Sequence, residues 1–177
     1  SSRAPLSEHP DVVPLSTAAS ALSAGKVDLV VNASGPGDHR GESRDALGWS
    51  TQLLGVIGNI PAVLISSTRV LEGIGGTVCE SAEPRPTTAY GRANAAMEAS
   101  WLQNSYASVI RLVNFFGTPL GRDSPQTRLL PWSLLLEGWT TGGVHVRSSP
   151  FRTKEFIDAD DAAAAIEILA TKQPSDR

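Results

Sequence analysis

The sequence predicts an α/β protein with a doubly wound parallel sheet. Short apolar runs recur at 27–31, 61–65 and 109–113, and helical patterns separate them. The run 61–65 is apolar throughout and followed by polar residues, while Asp28 and Arg111 interrupt the other two; such short apolar runs are the pattern of buried strands. Strands alternating with helices imply right-handed βαβ units.

The elements follow in order. Residues 1–6 read as a polar loop and 11–15 as a short strand. Ser16 or Thr17 can cap a helix over 18–24, with Gly25 just past its end. The run 27–31 reads as a buried strand leading into 32–37, which is rich in small residues. That loop is either a place where a ligand approaches the backbone or a plain strand-to-helix turn. Over 43–58, Leu47, Leu54 and Ile57 mark the apolar side of a helix, flanked by Trp49 and Leu53, and Asn59 closes it. The run 61–65 is the central strand, with Ser66 and Ser67 at its carboxyl end, where ligands sit in open parallel sheets. A Pro/Thr-rich turn over 83–88 precedes a helix over 90–106, and a strand follows at 109–113. Leu130-Pro131 opens another helix with Leu134 and Leu135 as its buried side and Gly138 after its end. Val144 and Val146 alternate with polar residues as in a half-exposed strand. Asp160 caps an alanine-rich helix ending near Ala170.

Composition narrows the function classes. A chain of 177 residues suffices for one domain with a real core, and 41% hydrophobic residues fit a soluble globular protein. The net charge is −3 with no block of like charge, which argues against nucleic-acid or anionic-membrane partners. The single cysteine, Cys79, excludes an internal disulfide and suits a reducing, cytoplasmic compartment. No apolar run is long enough to cross a bilayer, and no signal peptide opens the chain.

The arrangement Ser67, then Tyr90-Gly91-Arg92-Ala93-Asn94 after 23 residues, resembles the active site of the extended short-chain dehydrogenase/reductases. It is most similar to the NAD-dependent epimerase/dehydratase branch acting on nucleotide sugars, the deoxysugar 4-ketoreductases among them. That family carries Ser or Thr at a strand end and Tyr-x-x-x-Lys on the next helix. Asn94 stands where the lysine would be. Two downstream stretches add to the likeness. Residues 111–117 resemble the family's Arg-Leu-x-Asn-x-x-Gly strand end. Residues 151–163 resemble its Arg-Asp-Phe-Ile-x-Val-Asp-Asp-x-Ala signature, with Lys154 in place of the arginine.

The resemblance implies a Rossmann-like sheet over 1–128 that lacks its first strand and glycine-rich turn. It implies a substrate-side helix, strand and return helix over 129–177. The family is longer at both ends, so the expectation is a fragment of such an enzyme. The implied catalytic residues are Ser67, Tyr90 and Asn94. The implied cofactor contacts are Ser2, Arg3, Asn32, Ala33, Ser34, Gly35, Ser66, Tyr90, Asn94 and Asn114. Substrate would meet Thr68, Arg69, Asn114, Phe115, Arg152 and Lys154. The implied cofactor is NADP or NAD, with Ser2-Arg3 hinting at a 2′-phosphate. The implied partners are a nucleotide-sugar substrate and a second copy of the chain as a homodimer.

The chemistry explains why those residue types matter. Carbonyl reduction needs a hydride donor, a proton donor and a group that polarises the oxygen. A phenol has an ordinary pKa of about 10, and a nearby cation brings it toward neutrality. In the family the lysine does this from the i+4 position and also holds the cofactor ribose. Asn94 lies on the same helix face and can hydrogen-bond a ribose but carries no charge. The expected activity is reduction of a nucleotide-linked keto-deoxysugar. The alternatives are an epimerase on the same fold, or a non-catalytic dinucleotide-binding relative. A dehydratase would need acid/base residues between Thr68 and Cys79, and Thr68-Arg69 offers none.

Other polar groups read as structural. No metal site is expected, because Asp158, Asp160 and Asp161 lack histidine or cysteine partners at ligand spacing. His9, His39 and His145 have no paired carboxylate or nucleophile in sequence. Ser34-Gly35 is not a nucleophile elbow. Glu80 and Glu83 near Cys79 disfavour a thiolate.

Overall fold

The structure, a computed structural model, describes residues 20, 22, 24–25, 27–36, 46–117, 130–146, 149 and 153–171. The strand expected at 11–15, most of the helix expected over 18–24, and Ser2, Arg3 and Arg152 lie outside the described residues.

Three parallel strands form the main sheet in the order β1 (Val30–Asn32), β2 (Ala62–Ser67), β3 (Ala107–Leu112). Between them run α1 (Ala46–Ile57) and α2 (Ala89–Trp101), joined to β2 by a 3₁₀ turn over Thr68–Leu71. Two short strands, β4 (Asn114–Phe116) and β5 (Phe156–Asp158), pair in parallel as a second sheet. Helix α3 (Trp132–Thr141) lies between them in sequence, and α4 (Ala159–Thr171) follows β5 and packs on β2, β3, β4 and β5. Among the described residues no helix is long and apolar enough to cross a membrane.

The central strand is apolar on both faces, so Ala62, Val63 and Leu64 are fully buried. Side chains alternate along a strand. Ala62 and Leu64 therefore join Leu53, Ile57, Met97 and Trp101 in the core under α1 and α2. Ser66 shares their parity and Ser67 does not. This alternation decides the different fates of the two serines.

Several expectations are corrected. In α1 the buried stripe is Ala46, Ser50, Leu53 and Ile57, while Leu47 and Trp49 are exposed. The core selects Ser50 because its hydroxyl accepts hydrogen bonds from Trp101 Nε1 at 2.7 Å and Asn32 Nδ2 at 3.0 Å. The helix is closed by Gly58, with φ +56, and not by Asn59. Helix α2 ends at Trp101, five residues short of Tyr106. Helix α3 runs through Gly138 to Thr141 and ends on Gly142, with φ +74. No α3 residue is fully buried, and Leu135 is exposed, not buried. Val144 and Val146 are exposed and not in a strand. The cap of α4 is Asp158, whose Oδ1 accepts from the Asp160 N–H at 2.8 Å, because β5 runs directly into the helix.

Candidate functional site

The carboxyl end of β2 and the amino end of α2 are held against each other by backbone contacts. The Arg85 N–H donates to the Val70 carbonyl and the Gly73 N–H to the Arg85 carbonyl, both at 2.8 Å. A Cβ at Gly73 would lie 2.5 Å from the Arg85 oxygen, and one at Gly91 would lie 2.7 Å from the Arg69 oxygen. Both positions need glycine because chain packs on chain without room for a side chain. Gly91 is thus what lets the first turn of α2 dock on the loop after Ser67.

Side chains complete the junction. Ser67 caps the 3₁₀ turn, its Oγ accepting from the Arg69 N–H at 3.3 Å. Thr88 caps α2, accepting from the Gly91 N–H at 3.1 Å. The Arg69 guanidinium is paired with Glu72 Oε1. Glu72 Oε2 accepts from Thr87 at 3.1 Å and Thr88 at 3.0 Å. Burial raises the Glu72 carboxyl, but hydrogen bonds from Arg69, Thr88 and Thr87 together outweigh it and leave the pKa below its ordinary value. Glu72 is a carboxylate in the stretch after Thr68 that sequence reasoning passed over. Its three partners make it a clamp.

Ser67 and Tyr90 are both half-buried at this junction, and among the described residues none hydrogen-bonds the Tyr90 phenol. Asn94 is 1% exposed, and its Nδ2 donates to the Tyr90 carbonyl at 2.9 Å. Its amide is thereby tied to its own helix. Arg92 is exposed and donates to the Thr87 carbonyl at 3.0 Å.

The other expected contacts fall in three groups. Ser66 faces the interior, where its hydroxyl donates to Glu98 at 2.5 Å, and Arg111 pairs with the same carboxylate at 2.8 Å. Asn32 is also buried. Besides its bond to Ser50, its Oδ1 accepts from the Ser34 N–H at 3.0 Å and the Ser34 hydroxyl at 2.5 Å. Around β1, Ala33 is exposed, and among the described residues a Cβ at Gly35 would meet nothing within 4 Å, so backbone forms the rim there. Asn114 is engaged with the Glu155 carbonyl at 3.1 Å, holding β4 to β5, while Phe115 and Lys154 are exposed and Thr68 is half-buried.

These observations bear on how a dinucleotide would fit. The open backbone at 33–35 and the hydroxyls of Ser67 and Tyr90 suit a flat cofactor across the strand ends. The buried amides of Asn32 and Asn94 do not reach out to one. Cys79 is exposed, and hydrogen bonding from the Ser81 side chain and backbone holds its thiol below the ordinary value, against the charge of Glu80. The sequence reading weighed only the carboxylates and pointed the other way.

No protein-family model and no curated protein matches the sequence. Solved structures do. An NAD-dependent NDP-hexosamine 5,6-dehydratase, TunA, involved in tunicamycin biosynthesis, superposes with a TM-score of 0.69 at 16% identity, over 85% of this chain and 53% of that one. The dTDP-glucose 4,6-dehydratase of Bacillus anthracis, in complex with NAD, gives 0.68 at 15% identity, over 89% and 52%. The UDP-glucuronic acid 4-epimerase of Bacillus cereus, in complex with UDP-glucuronic acid and NAD, gives 0.68 at 18% identity, over 86% and 53%. The chain has the Rossmann-type fold of these enzymes. It spans about half the length of each.

Proposed function

We propose that this chain carries the hydroxyl pair of an NAD(P)-dependent enzyme that modifies a nucleotide-linked sugar, and that the reaction is reduction of a keto-deoxysugar. The observation behind this reading is the junction that holds Ser67 at a parallel strand end beside the first turn of the helix bearing Tyr90. The coarser part of it, NAD-dependent modification of a nucleotide sugar, is supported by the dehydratases and the epimerase of similar fold.

A nicotinamide bound along the strand ends would supply hydride. In this reading the Ser67 hydroxyl hydrogen-bonds the substrate carbonyl oxygen, and the Tyr90 phenol gives it a proton. A phenol carries its proton at neutral pH, the form that reduction uses. Backbone at 33–35 borders the cofactor. Thr68, Asn114, Phe115 and Lys154 face the sugar nucleotide, with Lys154 meeting diphosphate as a point charge. Asn94 keeps the first turn of α2 in register through the Tyr90 carbonyl.

The test is NAD(P)H oxidation with nucleotide-linked 4-keto sugars. Tyr90→Phe should lower kcat by about a hundredfold or more, the range of a lost general acid. An unchanged rate removes the phenol from the mechanism. Epimerisation without net cofactor turnover favours the epimerase on the same fold. The buried, engaged amide of Asn94 favours a second reading, a dinucleotide-binding relative without turnover. Nucleotide binding without activity in the natural protein, with activity appearing in Asn94→Lys, decides for it.

A further inference from the structure

We propose that Glu72 is a positioning residue that ties the turn after Ser67 to the cap of the helix bearing Tyr90, fixing the two hydroxyl-bearing segments relative to each other. This rests on the functional reading above and extends it by naming what holds the pair together.

The connection can be followed atom by atom. The Ser67 hydroxyl accepts from the Arg69 N–H, and the Arg69 guanidinium is paired with Glu72 Oε1. Glu72 Oε2 accepts hydrogen bonds from the Thr87 and Thr88 hydroxyls. Thr88 Oγ1 in turn accepts from the Gly91 N–H, one residue past Tyr90. A threonine hydroxyl has one proton and two lone pairs. By accepting the hydrogen bond, the carboxylate orients the hydroxyl so that a lone pair is left for the Gly91 N–H, and an acceptor at Glu72 thus selects the capping arrangement. An ionised acceptor does this more strongly than a neutral one.

Backbone packing gives the clamp its leverage. Residues 70–73 and 85 are laddered by two hydrogen bonds, and Gly91 sits against the Arg69 carbonyl. A shift of the 3₁₀ turn is therefore passed to the start of α2. Glu72 is poorly suited to proton transfer, because Arg69 and two hydroxyls hold its charged form. Its side chain is 17% exposed, against 49% for Arg69, so the partner toward solvent is the arginine.

The experiment uses the protein with tyrosine labelled at ¹³Cζ. There are two tyrosines, so the Tyr90 resonance is the one lost in Tyr90→Phe. In Glu72→Ala the Tyr90 resonance should shift, and the Gly91 amide should exchange about tenfold faster, as expected for a lost cap. Glu72→Gln, which keeps an oxygen acceptor for both threonines, should recover most of the Gly91 protection. Arg69→Met, which frees one carboxylate oxygen and leaves the cap alone, should move the Tyr90 resonance the same way by less. With turnover established, Glu72→Ala should lower kcat by about tenfold while KM stays within about twofold, the signature of an interaction that matters in the transition state. An unmoved Tyr90 resonance with unchanged Gly91 exchange in Glu72→Ala overturns the proposal, whatever the activity. Absence of turnover in the natural protein counts against the functional reading instead, and the resonance and exchange measurements still decide the clamp.

Discussion

Replacing Arg111 by methionine should destabilise the protein by about 3–5 kcal/mol, the range for leaving one member of a buried ion pair alone. The magnitude follows from what stays behind. The Glu98 side chain is 2% exposed and receives Arg111 Nε at 3.1 Å on each oxygen and Nη2 at 2.8 Å. Its remaining partner is the Ser66 hydroxyl. Methionine keeps most of the apolar stem and deletes the charge, so the carboxylate would be buried with one neutral donor. The Glu80 and Ala82 carbonyls would also lose their Nη1 donor. Arg111 is 18% exposed, so entering water relieves part of the penalty and the lower end, about 3 kcal/mol, is expected. Urea unfolding reads it directly: with a slope of about 1–3 kcal/mol/M, the midpoint should fall by roughly 1–3 M. The double variant Glu98→Met/Arg111→Met leaves no unpaired charge and should be more stable than Arg111→Met alone. A midpoint drop under about 0.3 M for Arg111→Met, or losses that simply add in the double variant, would refute the reasoning.

Three further outcomes are expected. Gly91→Ala puts a Cβ 2.7 Å from the Arg69 oxygen and 3.0 Å from Pro86 Cβ, so overpacking should cost about 1–3 kcal/mol in urea unfolding. Glu72 should make stability pH-dependent. Its folded-state pKa lies below the ordinary 4.5, so its stabilisation is complete above that value and lost as pH falls through the folded-state pKa. The urea-midpoint difference between the natural protein and Glu72→Gln should therefore shrink on acidification below about pH 4.5. A difference that stays constant rules out the linkage. Cys79 should be alkylated by iodoacetamide more slowly near neutral pH in Ser81→Ala, because the hydroxyl beside its sulfur at 3.2 Å helps hold the thiol below its ordinary value. Equal rates would remove Ser81 from the explanation.

The fold was legible where burial imposes a pattern. The run that became β2 is apolar on both faces through Ile65, and the mostly apolar run of β3, broken by Arg111, follows a helix as a parallel strand should. The carboxyl ends of the parallel strands, where the sequence reading put its candidate site, lie together by the same logic. Side-chain direction near the site was less legible. Ser66 and Ser67 are equivalent in composition, and strand parity alone sends one toward Glu98 and the other to the 3₁₀ cap. Asn32 read as a cofactor contact because the matching strand-end loop of the resembled family lies along the cofactor. Its burial depends on Ser50 and Trp101, which lie 18 and 69 residues further along the chain, and local patterns do not register such distant partners. Helix α3 forms where Leu130-Pro131 placed it, but its buried side was misread: Leu134 and Leu135 look like one, yet leucine pairs do not say what will cover them.

Helix geometry explains why the positions of the family motif end up in such different surroundings. Successive residues turn about 100° and rise about 1.5 Å. Glu98 points to the sheet, where Ser66 of β2 and Arg111 of β3 are register partners. Counting back, Asn94 lies about 40° round from Glu98 and about 6 Å nearer the start of the helix. That turn is too small to leave the interior, and the amide finds the Tyr90 carbonyl instead of solvent. Tyr90 lies about 80° round and about 12 Å up, which brings it to the rim beside the β2 end, where it is half-buried. Trp101 anchors the other end of α2 through Ser50, and Thr88 fixes its start. Apolar contacts alone would let a helix slide or roll on the sheet. Directional bonds at both ends and at Glu98 set its rotation and height together. The orientation of Tyr90 is thus fixed mainly by residues that would never touch a substrate.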